Sequence, residues 1–282
     1  MTRRRPEAIS PTAHYTGTVW LMNGLSHPGF ATLQGQALHA GLRLPHLVAH
    51  RLGRPSMDNI LLARHRLIDL QLERAISSGE ITQVIEVAAG LSPRGWRFAE
   101  RHGRRIRYIE ADLPGMAQRK RDLLVNAGLD SEQHTVVDLN ALLDDGPGSL
   151  QALVTGLDPT QGTALITEGL INYFDTDTVV AMWARFGRAL ARFPNALYLS
   201  DLHLDSGGAT LASRMFMRML STFVRGKVHL HFRSQQEALA ALRGAGFDAP
   251  ELLDPRTFAD SLPDCRRPGV SLVRIVCARR GG

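Results

Sequence analysis

The chain has 282 residues, of which 44% are hydrophobic and 21% are charged, a balance that supports a packed core and excludes wholesale disorder. No apolar run reaches the roughly 18 residues that a membrane span needs, so we expect no membrane partner. The formal charge is +6, but its arginines are dispersed and form no track for a phosphate backbone, which disfavours nucleic-acid binding.

The cysteine content and the N-terminus point to the cytoplasm. Cys265 and Cys277 are the only cysteines, and neither has a CxxC partner for zinc or redox chemistry, so we predict no metal site. The first ten residues are basic, but no apolar stretch follows them as it does in a secretory signal peptide. We therefore expect a cytoplasmic location.

The N-terminal part, residues 1–80, is predicted to be helical. Residues 28–52 carry two short helical patterns broken near Pro45. Asp58 can cap a longer helix whose apolar positions follow a helical face and which Gly79 ends. We assign residues 1–80 to a helical extension and lid, and residues 81–282 to a second domain.

Residues 81–282 alternate between strand and helix patterns. Helices are expected to begin at Ser92-Pro93 and at Pro114, and to cover 176–193 and 234–247. Strands separated by helices indicate βαβ units, so the fold class is α/β with a mainly parallel, Rossmann-like sheet. The predicted strands are 82–89, 106–112, 134–139, 162–169, 195–202 and 270–278.

Acidic residues lie in or just past five of these strands, where ligands of parallel sheets bind. They are Glu86, Asp112, Asp138, Glu168 and Asp201. A carboxylate can accept hydrogen bonds from both hydroxyls of a ribose, and in dinucleotide folds that acid lies about 20 residues past the glycine loop. Asp112 lies 22 residues past Gly90, which suits a nucleoside ligand. Capping of the next helix is the alternative role for Asp112.

The loop after the first strand limits the choice of ligand. Its residues Val87 to Gly90 contain one glycine and lack the GxGxxG pattern of a pyrophosphate site. This argues against NAD and FAD, and therefore against a nucleotide-dependent oxidoreductase. A ligand without phosphates, such as S-adenosylmethionine, remains compatible with the loop.

Several segments together resemble the leucine carboxyl methyltransferase and polyketide O-methyltransferase family. They are ARHRLID, VIEVAAGLSPRGWRFA, RYIEADLPGMAQRK, VVDL and ITEGLINYF, in the family's order and spacing over residues 58–202. The resemblance implies S-adenosylmethionine as cofactor and a seven-stranded sheet with helices on both faces. Ala88 and Ala89 stand where many relatives have a glycine, and Ser92 where many have aspartate, which puts cofactor affinity in question.

The resemblance also implies residue roles. Arg64 matches the arginine that pairs with the methionine carboxylate, and Glu168 an acid near the methionine amino group. Asp112 matches the ribose-binding acid, while Asp138 and Leu139 match the pair that lines the adenine. The ordinary alternative for Arg64 is an exposed helix arginine, and the alternative for Glu168 is a helix cap. The predicted cofactor-binding residues are Arg64, Glu86, Ala88, Gly90, Asp112, Leu113, Asp138, Leu139 and Glu168.

A segment rich in methionine and phenylalanine, residues 205–227, interrupts the alternation after the fifth strand. Because methionine adapts to varied surfaces, we interpret it as a substrate lid that acts with an N-terminal arm around His14. An ordinary packed helix or a dimer interface, and so a homodimer, is the alternative. Tyr173 and His203 are the predicted catalytic residues, and the predicted substrate residues are Tyr15, Trp20, Tyr173, His203 and Arg214.

These observations lead to one functional hypothesis with open alternatives. The chain is expected to methylate a carboxyl or phenolic oxygen of a small, partly apolar acceptor resembling a secondary metabolite. A carboxylate would need no base, whereas a phenol would gain from one. The alternatives are methylation of a protein C-terminal carboxylate, N-methylation of a small molecule, and a non-catalytic cofactor-binding partner subunit.

Overall fold

The computed structural model describes residues 11–41, 54–205 and 229–281. Its helices are α1 (Pro11–Met22), α2 (33–41), α3 (Met57–Ser77), α4 (Arg94–His102), α5 (Pro114–Ala127), α6 (Leu150–Thr155), α7 (Thr176–Leu190) and α8 (Gln235–Gly244). The strands are β1 (Gln83–Val87), β2 (Arg107–Asp112), β3 (His134–Asp138), β4 (Thr163–Thr167), β5 (Asn195–Leu202), β6 (Ala249–Leu253) and β7 (Arg274–Gly281).

The seven strands form one sheet in the order β3-β2-β1-β4-β5-β7-β6. Neighbouring strands from β3 to β5 are parallel, and β7 runs antiparallel to both β5 and β6. The predicted α/β fold with a mainly parallel sheet is confirmed. Strand β6 has no counterpart among the predicted strands, because it is short and contains Pro250, which favours a strand only at the edge of a sheet.

Helices cover both faces of the sheet. One apolar cluster joins β1, β2, β4 and β5 to α6, α7 and α8, with the fully buried Trp183 at its centre. A second cluster, on the other face, joins the same strands to α1, α3 and α4. Strand β1 is buried along its whole length, which explains why its apolar residues Val84, Ile85 and Val87 do not alternate with exposed ones.

Several helices and strands begin a few residues away from their predicted starts. Helix α3 begins at Met57, and its N-cap is Ser56, whose hydroxyl accepts from the Asn59 amide; Asp58 instead lies in the first turn. Helix α4 begins at Arg94, one residue after the predicted start. Residues 270–272 form a 3-10 helix, so the last strand begins at Arg274.

The N-terminal segment packs closely on the rest of the chain. Helix α3 contacts β5 and β7 directly, and α1 contacts α3. Gly17 of α1 faces Leu91, whose side chain would lie 3.4 Å from a Cβ at that glycine. The division into domains at residue 80 stays a prediction, and the predicted break near Pro45 lies outside the described residues. None of the helices in the described ranges is long and apolar enough to cross a membrane.

Candidate functional site

The carboxyl ends of the parallel strands meet at one edge of the sheet, and the predicted acids follow this edge. The strand register pairs Val87 with both Ala111 and Thr167, and it pairs Asp112 with Asp138. The acids at the ends of β2, β3, β4 and β5 are thereby brought into a row. Such an edge is where ligands of open parallel sheets bind.

The turn after β1, residues 88–92, is tied to the end of β2. We call these residues the cofactor loop, after the role that the sequence resemblance implies for them. Ala88 has φ 55° and Gly90 has φ 53°, both in the left-handed region. The Gly90 amide donates to Oδ2 of Asp112 at 2.7 Å, and the Leu113 amide donates to Oδ1 at 2.8 Å. The Asp112 carboxylate therefore bridges the loop and the start of α5, and its burial raises its pKa.

Arg64 of α3 joins the ends of β4 and β5. Its Nε donates to Oε1 of Glu168 at 3.0 Å, and its Nη1 donates to Oδ2 of Asp201 at 3.1 Å. The other oxygen of Asp201 accepts from the Gly169 amide at 2.7 Å. Gly169 has φ 72°, and a Cβ there would lie 3.1 Å from Nη2 of Arg64, so the chain needs glycine to let this guanidinium approach. Arg64 is thus a buried, ion-paired residue and not an exposed helix arginine.

A second buried arginine, Arg94, organises the acids behind this edge. It is completely buried and donates to Asp69 at 2.6 Å, to Glu86 at 2.5 Å and to Glu168 at 2.6 Å. It therefore fastens α4 to α3, to β1 and to the residue after β4. A buried charge is tolerated only when it is paired in this way.

Arg94 is not among the site residues predicted from the sequence. One signal could have found it: it is the first residue of α4, a position where the helix dipole disfavours a cation. An arginine there, directly after a predicted helix start, indicates a carboxylate partner elsewhere in the fold.

Glu86 and Glu168 both accept hydrogen bonds within this network of buried charged residues. Glu86 accepts from Arg94 and also from the Tyr108 hydroxyl at 2.7 Å, and burial raises its pKa. Glu168 accepts from Arg64 and Arg94, and its Oε2 lies 2.8 Å from Nδ1 of His65. Although burial opposes ionisation, these cations hold the pKa of Glu168 well below its usual range, so it is an anion at neutral pH.

The predicted adenine pair and Leu113 lie beside Asp112. The Leu139 amide donates to the Asp112 carbonyl at 2.7 Å, which holds the end of β3 against the end of β2. Leu139 is buried, whereas Leu113 is 39% exposed although it is apolar. Asp138 is half exposed and accepts from Arg121.

The two predicted catalytic residues differ in their exposure. Tyr173 belongs to a 3-10 helix after β4 and is 38% exposed. His203, directly after β5, is buried, and its Nδ1 lies 2.8 Å from the Leu272 carbonyl. Its Nε2 lies 4.0 Å from Oδ2 of Asp201, which places His203 next to the Arg64 network.

The predicted substrate residues of the N-terminal arm are buried in α1. The Tyr15 hydroxyl donates to Oδ1 of Asp58 at 2.5 Å. The Trp20 ring lies 4.7 Å from the His65 ring, measured between centroids. Both side chains belong to the apolar cluster between α1 and α3. Residues 206–227 of the predicted lid, which include Arg214, lie outside the described residues.

Comparison with known sequences identifies relatives over much of the chain. The family model for leucine carboxyl methyltransferase matches residues 31–186. A Streptomyces coelicolor protein assigned by name to the S-adenosyl-L-methionine-dependent methyltransferases is 34% identical over 151 residues, covering 52% of this chain and 50% of that protein. A Mycobacterium tuberculosis protein with the same assignment is 32% identical over 234 residues, covering 77% and 63%. The chain spans about half the length of the first of these curated relatives.

Solved structures resemble the whole of the fold. A DUF574 family protein from Streptomyces avermitilis superposes with a TM-score of 0.65 at 14% identity, covering 95% of this chain and 97% of that one. A protein from Thermobifida fusca described as a methyltransferase gives a TM-score of 0.63 at 13% identity, covering 95% and 94%. At these identities the similarity supports the fold and leaves the acceptor open.

Proposed function

Because this chain belongs to the leucine carboxyl methyltransferase family, a family of S-adenosylmethionine-dependent methyltransferases, we propose that it transfers a methyl group to an oxygen of a small acceptor. The cofactor is S-adenosylmethionine, and the acceptor oxygen belongs to a carboxyl or phenol group on a partly apolar molecule. The single observation that carries the proposal is the row of ligand-compatible groups at the sheet edge, with Asp112 at one end and Arg64 near the other.

Asp112 fits the ribose of this cofactor. Each of its oxygens accepts one backbone amide, from Gly90 and from Leu113. A carboxylate offers about four lone-pair sites, so acceptor capacity remains for two vicinal hydroxyls. The exposed apolar Leu113 lies directly beside it, where an adenine ring can pack.

Arg64 fits the carboxylate of the methionine moiety. Its Nε and Nη1 are paired with Glu168 and Asp201, and no residue in the described ranges accepts a hydrogen bond from its Nη2. The remaining donors of the guanidinium can bind an anion, while Glu168 and Asp201 fix the plane of the group. Those two carboxylates also supply negative charge near the cationic amino and sulfonium groups of the cofactor.

His203 is suited to accept a proton. A carbonyl oxygen only accepts hydrogen bonds, so the contact with Leu272 assigns the proton of the neutral ring to Nδ1. Nε2 then carries the lone pair. Burial lowers the pKa of His203 although Asp201 opposes this, so the ring is neutral at pH 7.

This arrangement supports transfer to oxygen. When bound, S-adenosylmethionine supplies a methyl group already activated by its sulfonium. The chain contributes alignment, exclusion of water and, for a phenol, removal of the hydroxyl proton to Nε2 of His203. A carboxylate acceptor is already an anion and needs no proton transfer.

The small size and apolar character of the acceptor are supported by composition. Residues 205–227 contain a concentration of methionine and phenylalanine, and small-ligand sites are mostly apolar with few polar groups. The dispersed arginines offer no electrostatic track for nucleic acid.

Two measurements test the proposal. Titration calorimetry should show binding of S-adenosylmethionine and of S-adenosylhomocysteine but not of NAD. Tritium from labelled cofactor, incubated with the protein and cell extract, should enter the small-molecule fraction. Label found mainly in protein would favour a protein carboxylate acceptor, and binding without any transfer would favour a non-catalytic subunit.

A variant of His203 separates the two kinds of oxygen. His203→Asn should slow methylation of phenols about 100-fold or more, and leave carboxylate acceptors nearly unchanged. With the native chain, phenol methylation should fall only below pH 6.5, because the pKa of His203 is lowered from that value. His27→Gln, at a partly exposed histidine of the N-terminal segment, is the matched control. If the methylation of phenols and of carboxylates slows equally, His203 does not take part in the proton transfer.

A further inference from the structure

The cofactor loop is held from a second side by a buried lysine that the proposed function does not use. Lys120 of α5 is 1% exposed. Its Nζ donates to the Ser92 carbonyl at 2.5 Å and to the Gly90 carbonyl at 3.4 Å. Both carbonyls belong to the cofactor loop, so one ammonium group fastens two of its five residues.

The ammonium group has its own counter-charge. Oε2 of Glu110 lies 2.9 Å from Nζ of Lys120 and 3.3 Å from Nε2 of His134. Although burial opposes ionisation, Lys120 and His134 lower the pKa of Glu110 to about 2. Glu110 is therefore an anion at neutral pH and lies beside Lys120 as its counter-charge inside the fold.

The loop needs such a restraint because of Ala88. An L-residue with a Cβ is disfavoured at φ 55°, the angle that Ala88 adopts. The amides of Ala89 and Gly90 tie the loop to β2, through the Ala111 carbonyl at 3.3 Å and through Asp112. Lys120 donates to backbone carbonyls of the same turn, those of Gly90 and Ser92.

We propose that Lys120 is a positioning residue that keeps the cofactor loop in its binding conformation and so compensates for alanine at position 88. The inference rests on the proposed function, because it takes the loop to be part of the cofactor site. In physical terms, Lys120 preorganises the loop. The loop backbone adopts its strained conformation when the chain folds, so cofactor binding does not have to impose that conformation.

Substitution of Lys120 tests the inference. Lys120→Met keeps the length and removes the charge and the donors. Its affinity for S-adenosylhomocysteine, measured by titration calorimetry, should fall about ten- to a hundred-fold. Thermal unfolding of the cofactor-free variant, followed by circular dichroism, reports whether the fold survives.

A second substitution distinguishes positioning from general destabilisation. Ala88→Gly removes the penalty for a positive φ, so it should recover about five-fold in affinity in the Lys120→Met background. In the native background the same change should raise affinity by clearly less, because Lys120 already sets the loop. Ala89→Gly is the matched control, since Ala89 has no positive φ, and it should rescue neither chain.

The outcomes are distinct. If the native chain does not bind S-adenosylhomocysteine, the proposed function fails. If the native chain binds and Lys120→Met binds equally well, or if Ala88→Gly gives the same change in both backgrounds, the assignment of Lys120 fails alone. Should Lys120→Met not fold, Lys120→Gln keeps a neutral NH2 donor on a side chain one bond shorter, and the same comparison with Ala88→Gly applies to it.

Discussion

Nη1 of Arg64 lies 3.1 Å from Oδ2 of Asp201, so an arginine of the helix that precedes the sheet is bound to the end of a strand 137 residues later. Arg64→Lys keeps the charge but loses the planar, forked set of donors. Affinity for S-adenosylmethionine should fall at least about ten-fold by calorimetry. Because Lys cannot bridge Glu168 and Asp201 in the same way, the melting temperature should fall as well.

An analogue without the methionine moiety provides the control for this prediction. 5′-Methylthioadenosine lacks the carboxylate, so the native chain and Arg64→Lys should bind it with similar affinity. A loss of equal size for both ligands would show that Arg64 acts through folding and not through recognition of the carboxylate.

Asp112→Ala should weaken binding of S-adenosylmethionine on the order of ten- to a hundred-fold, because charge-assisted hydrogen bonds to the ribose are lost. The Gly90 and Leu113 amides lose their acceptor at the same time, which loosens the cofactor loop. Calorimetry on the folded variant is the measurement. Asp130→Ala, at an exposed aspartate after α5, should bind as the native chain does. If Asp112→Ala binds S-adenosylmethionine with unchanged affinity, Asp112 is not part of the cofactor site.

Trp20→Ala should destabilise the chain by about 3 to 5 kcal/mol, since a large buried side chain is removed from the cluster between α1 and α3. The free energy of unfolding in urea measures this. Met22→Ala, at a 66% exposed residue of the same helix, should change it by less than about 0.5 kcal/mol. Because the Trp20 ring packs on His65, whose Nδ1 contacts Glu168, cofactor affinity should also decline. A stability equal to that of Met22→Ala would contradict the packing of α1.

Glu110→Gln should lower stability at pH 7, because Lys120 loses its buried counter-charge. The pKa of Glu110 is lowered from 4.5 to about 2 in the folded chain, so its contribution is complete above about pH 4.5 and is lost as the pH falls towards 2. The stability difference between the native chain and Glu110→Gln should therefore shrink between pH 7 and pH 3. Urea unfolding at both pH values is the measurement, with Glu100→Gln on the exposed face of α4 as control. A difference that does not depend on pH would rule out this ion pair.

The fold follows from the sequence because its signals are local and repeated. Apolar residues mark β1, β2, β4 and β5, and proline marks the start of α5. The 22-residue spacing of Gly90 and Asp112 points to a ribose-binding acid, and the structure adds a direct contact between the two residues. The helix α1 is different: threonine and glycine weaken its helical signal, and its burial depends on α3 and Leu91. Its position was therefore not predictable from its own residues.

The charged part of the site was predictable only in part. Acids at strand ends are visible because the strands are visible. The partners of these acids come from distant helices: Lys120 lies in the middle of α5, and Arg94 lies at the start of α4. Arg94 carries one local signal, its position at the start of α4, but nothing in the local pattern separates Lys120 from the exposed cations among the 33 lysines and arginines of the chain. Their roles depend on tertiary contacts that periodicity does not encode.

The burial of Arg94 has a consequence for how this sequence can vary among relatives. Its guanidinium donates to Asp69, Glu86 and Glu168, which lie in α3, in β1 and directly after β4. A substitution at position 94 alone would remove one charged donor from three buried acids, and a substitution at any one acid would leave Arg94 with one partner fewer. We therefore expect these four positions to change together during divergence, so that a relative with an apolar residue at 94 also has neutral residues opposite it.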